Sequence, residues 1–296
     1  MNTEIIKFKT LDGTYLDGFL KYNEIKSKKV IIAIHGMASN CFKKREKVLA
    51  DYAIEKNIDT FVFNTRGSDI VRFLKREKIL YPGDNIGGSA YENIYESYYD
   101  IKSAIMQMLE LGYEEIYLCG HSLGSTKLVY TYNKLFSEND EILKNIKAVV
   151  LLSLVDLEKS FKTFAGNKYQ DYINYALIKK EQKQFLDMMP QSVFLYPMSV
   201  KSYLIYNQNN DEINFARYSD NNYNFKELNS IKVPLFMRWG TDNEYIEQKP
   251  MELVEFLKNK INNKKLDVNI IQQADHSYRG KEDALAEQII NFLENI

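Results

Sequence analysis

Residues 115–124 read Glu115-Ile116-Tyr117-Leu118-Cys119-Gly120-His121-Ser122-Leu123-Gly124. A short strand-like run leads into G-x-S-x-G, and Ser125 to Phe136 continues with helix-compatible residues. The pattern predicts a buried strand, a sharp turn and a helix. A serine on such a turn is held in a strained conformation that lifts its hydroxyl above the sheet, and the glycines two residues to either side remove side chains that would clash there. The helix N-terminus behind it favours developing negative charge. Ser122 is the candidate nucleophile on this reading; the bland alternative is an ordinary strand–helix turn.

Outward from this unit the chain alternates. Segments 4–9 and 15–22, separated by Leu11-Asp12-Gly13-Thr14, read as a hairpin, and Lys29-Val30-Ile31-Ile32-Ala33-Ile34 reads as a strand buried on both faces. A helix over 41–56, a strand at 59–64 and a helix over 91–111 precede the serine unit. Strands at 147–154, 233–238 and 266–272 follow it, with helices at 249–261 and 282–295. This order predicts an α/β fold with a mostly parallel, doubly wound sheet and active groups at the carboxyl ends of its strands. The interval from 157 to 228 breaks the rhythm and carries fourteen aromatics, so it reads as a helical cap inserted into a core formed by 1–156 and 229–296.

Composition narrows the function classes. Hydrophobic residues make up 45% and charged residues 27%, with a formal net charge of −1, which gives no electrostatic reason to expect nucleic acid. The beginning lacks an apolar targeting stretch and no apolar run is long enough to span a bilayer, so the expectation is a cytoplasmic protein without a membrane span. Cys41 and Cys119 lack CxxC spacing and read as buried free thiols. No HExxH, Cys/His cluster, EF-hand, Walker loop or GxGxxG after a strand occurs, so neither metal nor cofactor is expected.

With Gly120-His121-Ser122-Leu123-Gly124, His35-Gly36 after the third strand and this strand order, the chain resembles the α/β-hydrolase superfamily over nearly its whole length outside the cap. His35-Gly36-Met37, the Asn64-Thr65-Arg66-Gly67 turn and the cap position look like its esterase, lipase and serine-aminopeptidase-like branch. The base follows largely by elimination. Of three histidines, His35 abuts Gly36 and reads as a loop brace, and His121 should point away from the serine. His276, in the loop after the last strand, is left to take the proton of Ser122.

For the orienting acid, Asp242 is the choice, because it follows a buried strand and gives the order Ser, Asp, His. The family pattern commonly puts the acid three residues after the glycine of that strand, and Asn243 occupies that place; Glu244 and Asp156 stay open as alternatives. The oxyanion hole is assigned to the backbone N–H groups of Met37 and Leu123. Lys43-Lys44-Arg45-Glu46-Lys47 reads as a solvated helix face, and Arg66 as a brace between loops or a binder of a substrate carboxylate. Phe185, Met188, Met189, Phe194, Tyr196 and Met198 line an apolar acyl or aryl pocket or form the cap's own core.

The expected activity is hydrolysis of a small or medium apolar carboxylic ester through an acyl-serine. A thioester, amide or small-peptide substrate fits the same groups, with Glu158 and Asp187 as candidate anchors for a free amine. A ligand receptor on the same fold is the reading from another class.

Overall fold

The computed structural model describes residues 1–208, 210–246 and 248–296. Alternating polar and apolar residues at the start form the hairpin: β1 (Asn2–Lys9) pairs antiparallel with β2 (Thr14–Tyr22), Asn2 opposite Tyr22 and Lys9 opposite Tyr15. β3 (Lys29–Ile34), β4 (Asp59–Phe63), β5 (Glu115–His121), β6 (Ile146–Leu152), β7 (Leu235–Gly240) and β8 (Leu266–Ile271) complete the main path. The spatial order is β1-β2-β4-β3-β5-β6-β7-β8, antiparallel at the β1, β2 and β4 edge and parallel from β4 to β8. The two-residue strand Lys75–Arg76 pairs with β2 as a ninth member.

The central strands are apolar without alternation because both of their faces are covered. Val30, Ile32 and Ile34 of β3 join one core with Ile116 and Leu118 of β5, whereas Ile31 and Ala33 join the other with Tyr117 and Cys119. The second core is closed by α1 (Lys44–Glu55) and α9 (Glu282–Glu294), through Leu49, Ala53, Leu285 and Ile289. The first is closed by α2 (Ser97–Glu110), α3 (Leu123–Ser137) and a helix at Pro250–Lys260, through Ile101, Leu128 and Leu253.

Between β6 and β7 the chain forms α4 (Leu157–Ala165), α5 (Tyr169–Glu181), α6 (Val200–Asn207) and α7 (Lys226–Asn229), which makes the Pro250–Lys260 helix α8. Their buried residues, among them Phe161, Tyr203 and Leu228, belong to the same core as α2 and α3. No described helix is long and apolar enough to cross a membrane.

Several boundaries differ from the sequence expectation. The strand expected at 233–238 runs from Leu235 to Gly240, since Pro234 has no N–H for a ladder and Trp239 and Gly240 pair with Ile270 and Ile271. The strand expected to reach 154 stops at Leu152, because Ser153 takes φ 46° and turns out of the sheet. The helix expected from 91 begins at Ser97, after a 3-10 turn capped by the Asn93 side chain. Residues 68–90, given no structure in advance, hold an antiparallel pair, Arg72–Phe73 with Ile86–Gly87. Arg66 anchors that passage: it is buried and donates to Asp100, Asp12 and Glu96, so it braces loops.

Candidate active site

Ser122 stands between β5 and α3 at φ 54°, ψ −123°. That conformation is sparsely populated for a residue with a side chain and survives only because its surroundings hold it. The Ser122 N–H donates to the Leu152 carbonyl (2.8 Å), while Ser125 Oγ donates to Gly120 O (2.8 Å) and accepts from Leu152 N (3.1 Å). The glycines are steric requirements. A Cβ on Gly124 would lie 2.4 Å from the Ile34 carbonyl oxygen, and one on Gly120 would lie 2.7 Å from the Gly124 backbone.

His276, in the loop after β8, brings Nε2 to 2.9 Å from Ser122 Oγ, and its Nδ1 lies 2.7 Å from Glu244 Oε2. Read with the proton on Nδ1, the ring donates to Glu244 and accepts from the serine. The Glu244 side chain is 2% exposed, and its other oxygen accepts from the Gly240 N–H (2.7 Å) and the Ser153 hydroxyl (2.6 Å). Ser153 Oγ lies 2.9 Å from the Tyr278 hydroxyl, which donates to the Arg238 carbonyl (2.8 Å).

The carboxylate on His276 is thus Glu244, and this corrects the choice of Asp242. Asp242 is exposed, accepts from Thr241 Oγ1 (2.9 Å) and gives its N–H to Ala274 O. The reason is local: Asn243 adopts φ 51°, and this left-handed step turns the chain so that residue 244 faces the histidine. Asp156 is occupied elsewhere, capping α4 through Lys159 N (3.0 Å) and accepting from Ser219 Oγ (3.1 Å); burial raises its pKa.

The loop after β3 passes against the serine, since a Cβ on Gly36 would lie 3.1 Å from Ser122 Cβ. Met37 and Leu123, proposed for the oxyanion hole, both line the cavity over Ser122, and Leu123 opens α3, where an N–H has no partner within its own helix. His35 sits behind that loop, with Nδ1 2.9 Å from Gly36 O and Nε2 accepting from Thr65 N (3.2 Å). Burial, then the charge of Lys127, lowers its pKa to about 3. His121 points away from Ser122 Oγ in its hydrogen bonding but not from the site: its Nε2 lies 2.7 Å from the His276 carbonyl, and burial holds its pKa well below the usual histidine value.

The cavity over Ser122 measures about 540 Å³. Of the six apolar residues singled out in 185–198, Phe194 and Tyr196 line it. Met189 and Met198 are buried in the core, and Phe185 and Met188 face solvent. Glu158 pairs with Lys162 and Asp187 with Lys179, and neither lines the cavity. Sequence reasoning missed Ser153, Tyr278 and Tyr245, whose ring packs edge-on against His276 at 4.6 Å between centroids. They are ordinary loop residues with no motif to flag them. Cys41 and Cys119 are buried free thiols, and among the described residues no cluster of His, Cys, Asp and Glu is suited to a metal ion.

Residues 90–288 match the lecithin:cholesterol acyltransferase family, two thirds of the chain including Ser122, Glu244 and His276. The chain belongs to that family. Its fold is that of the α/β-hydrolases. Est1E from Butyrivibrio proteoclasticus, solved with ferulic acid bound, superposes with a TM-score of 0.67 at 15% identity, covering 98% of each chain. DcsB, solved with a substrate analogue, gives 0.69 at 12% identity over 99% of each chain. The α/β-hydrolase GrgF from Penicillium gives 0.66 at 14% identity, covering 100% of this chain and 99% of that one. No curated protein matches the sequence. Membership in the lecithin:cholesterol acyltransferase family, with the hydrolase fold, places the chain among hydrolases and acyltransferases.

Proposed function

We propose that the protein is a serine hydrolase that cleaves a carboxylic ester of a small or medium apolar acid through an acyl-serine. The observation that carries this reading is the continuous chain from Ser122 Oγ through His276 to Glu244, at 2.9 and 2.7 Å, opening onto a cavity partly walled by Phe164, Phe194 and Tyr196. Ser122 Oγ attacks the ester carbonyl while His276 Nε2 takes its proton, and the N–H groups of Met37 and Leu123 hold the oxyanion. His276 returns that proton to the alcohol oxygen as the C–O bond breaks. Water then adds to the acyl carbon, giving its proton to Nε2; the C–Oγ bond breaks, the acid leaves and Ser122 is reprotonated. The buried Glu244 stabilises the imidazolium in both halves. The insertion between β6 and β7 acts as the cap that sizes the acyl pocket.

A fluorophosphonate probe should label wild type and fail to label Ser122→Ala, and p-nitrophenyl esters of graded length should show an optimum. A folded wild type that takes no label would overturn the hydrolase reading in favour of a ligand receptor. The family match supports a second reading, in which an alcohol replaces water as the acceptor. Turnover with added glycerol distinguishes the two, since a transferase forms a new ester where a hydrolase forms only free acid.

A further inference from the structure

The loop after β3 carries His35, Gly36 and Met37 past Ser122. It leads into Lys43, Lys44 and Arg45, which border the cavity and so do not form the wholly solvated face read from the sequence. The Met37 N–H has no acceptor among the described residues, and Ala38 follows it at φ 51°. A residue with a side chain keeps that conformation only where its surroundings impose it.

His35 imposes it from behind. The ring is buried, and burial followed by the charge of Lys127 lowers its pKa to about 3, so one nitrogen carries a proton and the other is bare. The Thr65 N–H can only donate and lies 3.2 Å from Nε2, which makes Nε2 the bare nitrogen. Nδ1 then donates to the Gly36 carbonyl at 2.9 Å. The Gly36–Met37 peptide is trans, so its carbonyl and the next N–H point opposite ways. A carbonyl tied back to His35 therefore turns the Met37 N–H away from that ring, on the side where Met37 lines the cavity over Ser122.

Thr65 is directed in its turn. Lys127 Nζ, a donor only, lies 3.4 Å from Thr65 Oγ1, and this leaves the hydroxyl proton for His35 Nε2 at 3.1 Å. Lys127 is held by Glu92 at 2.5 Å, and both side chains are fully buried. The Glu92 carboxylate rests on Gly67, two residues after Thr65, where a Cβ would lie 2.0 Å from Oε1. So complete a burial adds little stability over an apolar pair. Setting the direction of protons is a use that an apolar pair could not serve.

Resting on the serine-hydrolase reading, we propose that His35 is a positioning residue that orients the Met37 N–H for the oxyanion, and that the Lys127–Glu92 pair fixes its tautomer through Thr65. None of the four side chains touches the substrate; each acts through the Gly36–Met37 peptide.

The test uses p-nitrophenyl butyrate, with rates expressed per site labelled to completion by a fluorophosphonate. An asparagine amide reaches the place of Nδ1 and keeps a donor for the Gly36 carbonyl, whereas a glutamine amide reaches the place of Nε2 and keeps only the tie to Thr65. Losing one oxyanion donor outright costs about 10²- to 10³-fold, so misdirecting it in His35→Gln should lower kcat and kcat/KM together by about 10- to 100-fold with KM little changed. His35→Asn should keep most of the wild-type kcat. In the double variant Lys127→Met, Glu92→Leu the urea midpoint should recover relative to Lys127→Met while kcat stays about fivefold or more below wild type. A purely structural brace predicts otherwise, with activity returning as stability does. A glutamine variant at least as active as the asparagine variant, or a double variant with wild-type kcat per labelled site, would overturn the inference alone. Wild type that takes no label would overturn the hydrolase reading with it.

Discussion

Both oxygens of Glu244 are engaged, one by His276 Nδ1 and the other by Gly240 N and Ser153 Oγ, so the carboxylate has one orientation and little freedom to lose in the reaction. Removing its charge while keeping its shape should leave the imidazolium without its counter-ion. Glu244→Gln is expected to lower kcat on p-nitrophenyl butyrate by about 10³- to 10⁴-fold, the scale known for this change in serine triads. Asp242→Asn, at an exposed carboxylate hydrogen-bonded to its neighbour, should stay within about twofold. The opposite ranking in steady-state kinetics would return the role to Asp242. Ser153→Ala removes one donor to Glu244, a loss of about 1.4 kcal/mol in orientation, and should cost about tenfold in kcat with the fold intact. Ser122 and His276 were legible as partners because their signals are local: a strand–turn–helix motif for one and a place after the last strand for the other. Glu244 stood only as an alternative to Asp242, since the φ 51° step at Asn243 that redirects the loop is a conformational choice that the letters Thr241-Asp242-Asn243-Glu244 do not advertise.

Helix α3 carries more than the serine at its start. Lys127, one turn along, is fully buried and its Nζ lies 2.5 Å from the equally buried Glu92 and 3.4 Å from Thr65 Oγ1. Thr65 in turn meets His35 behind the loop that carries Met37, and Ser202 at the start of α6 donates to the Glu92 carbonyl (2.8 Å). A buried pair of this kind adds little over a well-packed apolar pair, but removing one member strands the other charge out of water. Lys127→Met alone should therefore destabilise the protein by about 3 to 5 kcal/mol, seen as a lower urea midpoint. The double variant Lys127→Met, Glu92→Leu should recover most of that; an additive double loss would mean that the two charges do not act as a pair. Strand and helix identity was largely readable because period-two and both-faces-buried patterns are written residue by residue. The Lys127–Glu92 pair was not readable, because its members are 35 positions apart and each looks like an ordinary surface residue.

Over the whole molecule, pH acts on stability through the two histidines that fold neutral. His35 is held at about 3 by burial and by Lys127, and His121 well below its usual value by burial and by Arg45. In the unfolded chain both take up a proton below about 6.5, so the unfolded state binds more protons there and stability falls as pH falls. Between pH of about 7 and 5 the loss from His35 approaches 2 kcal/mol, and His121 adds in the same direction. Urea midpoints should drop across this window, and His35→Gln should flatten the slope relative to its own value near neutrality; a flat wild-type profile would mean that these rings protonate in place. Pocket size is also a property of the assembled molecule. Phe194→Ala should shift the acyl-length optimum to longer chains in the p-nitrophenyl series, since that ring, stacked 4.1 Å from Phe161, bounds the cavity. The sequence by itself determined the strand–helix order, the strained turn at Ser122 and the place of His276, because backbone propensity and chain order are local quantities. Only the tertiary structure decided that Glu244 meets His276, that Lys43 to Arg45 border the cavity and that Lys127 is buried, because the direction of a side chain is set by neighbours far away in the chain.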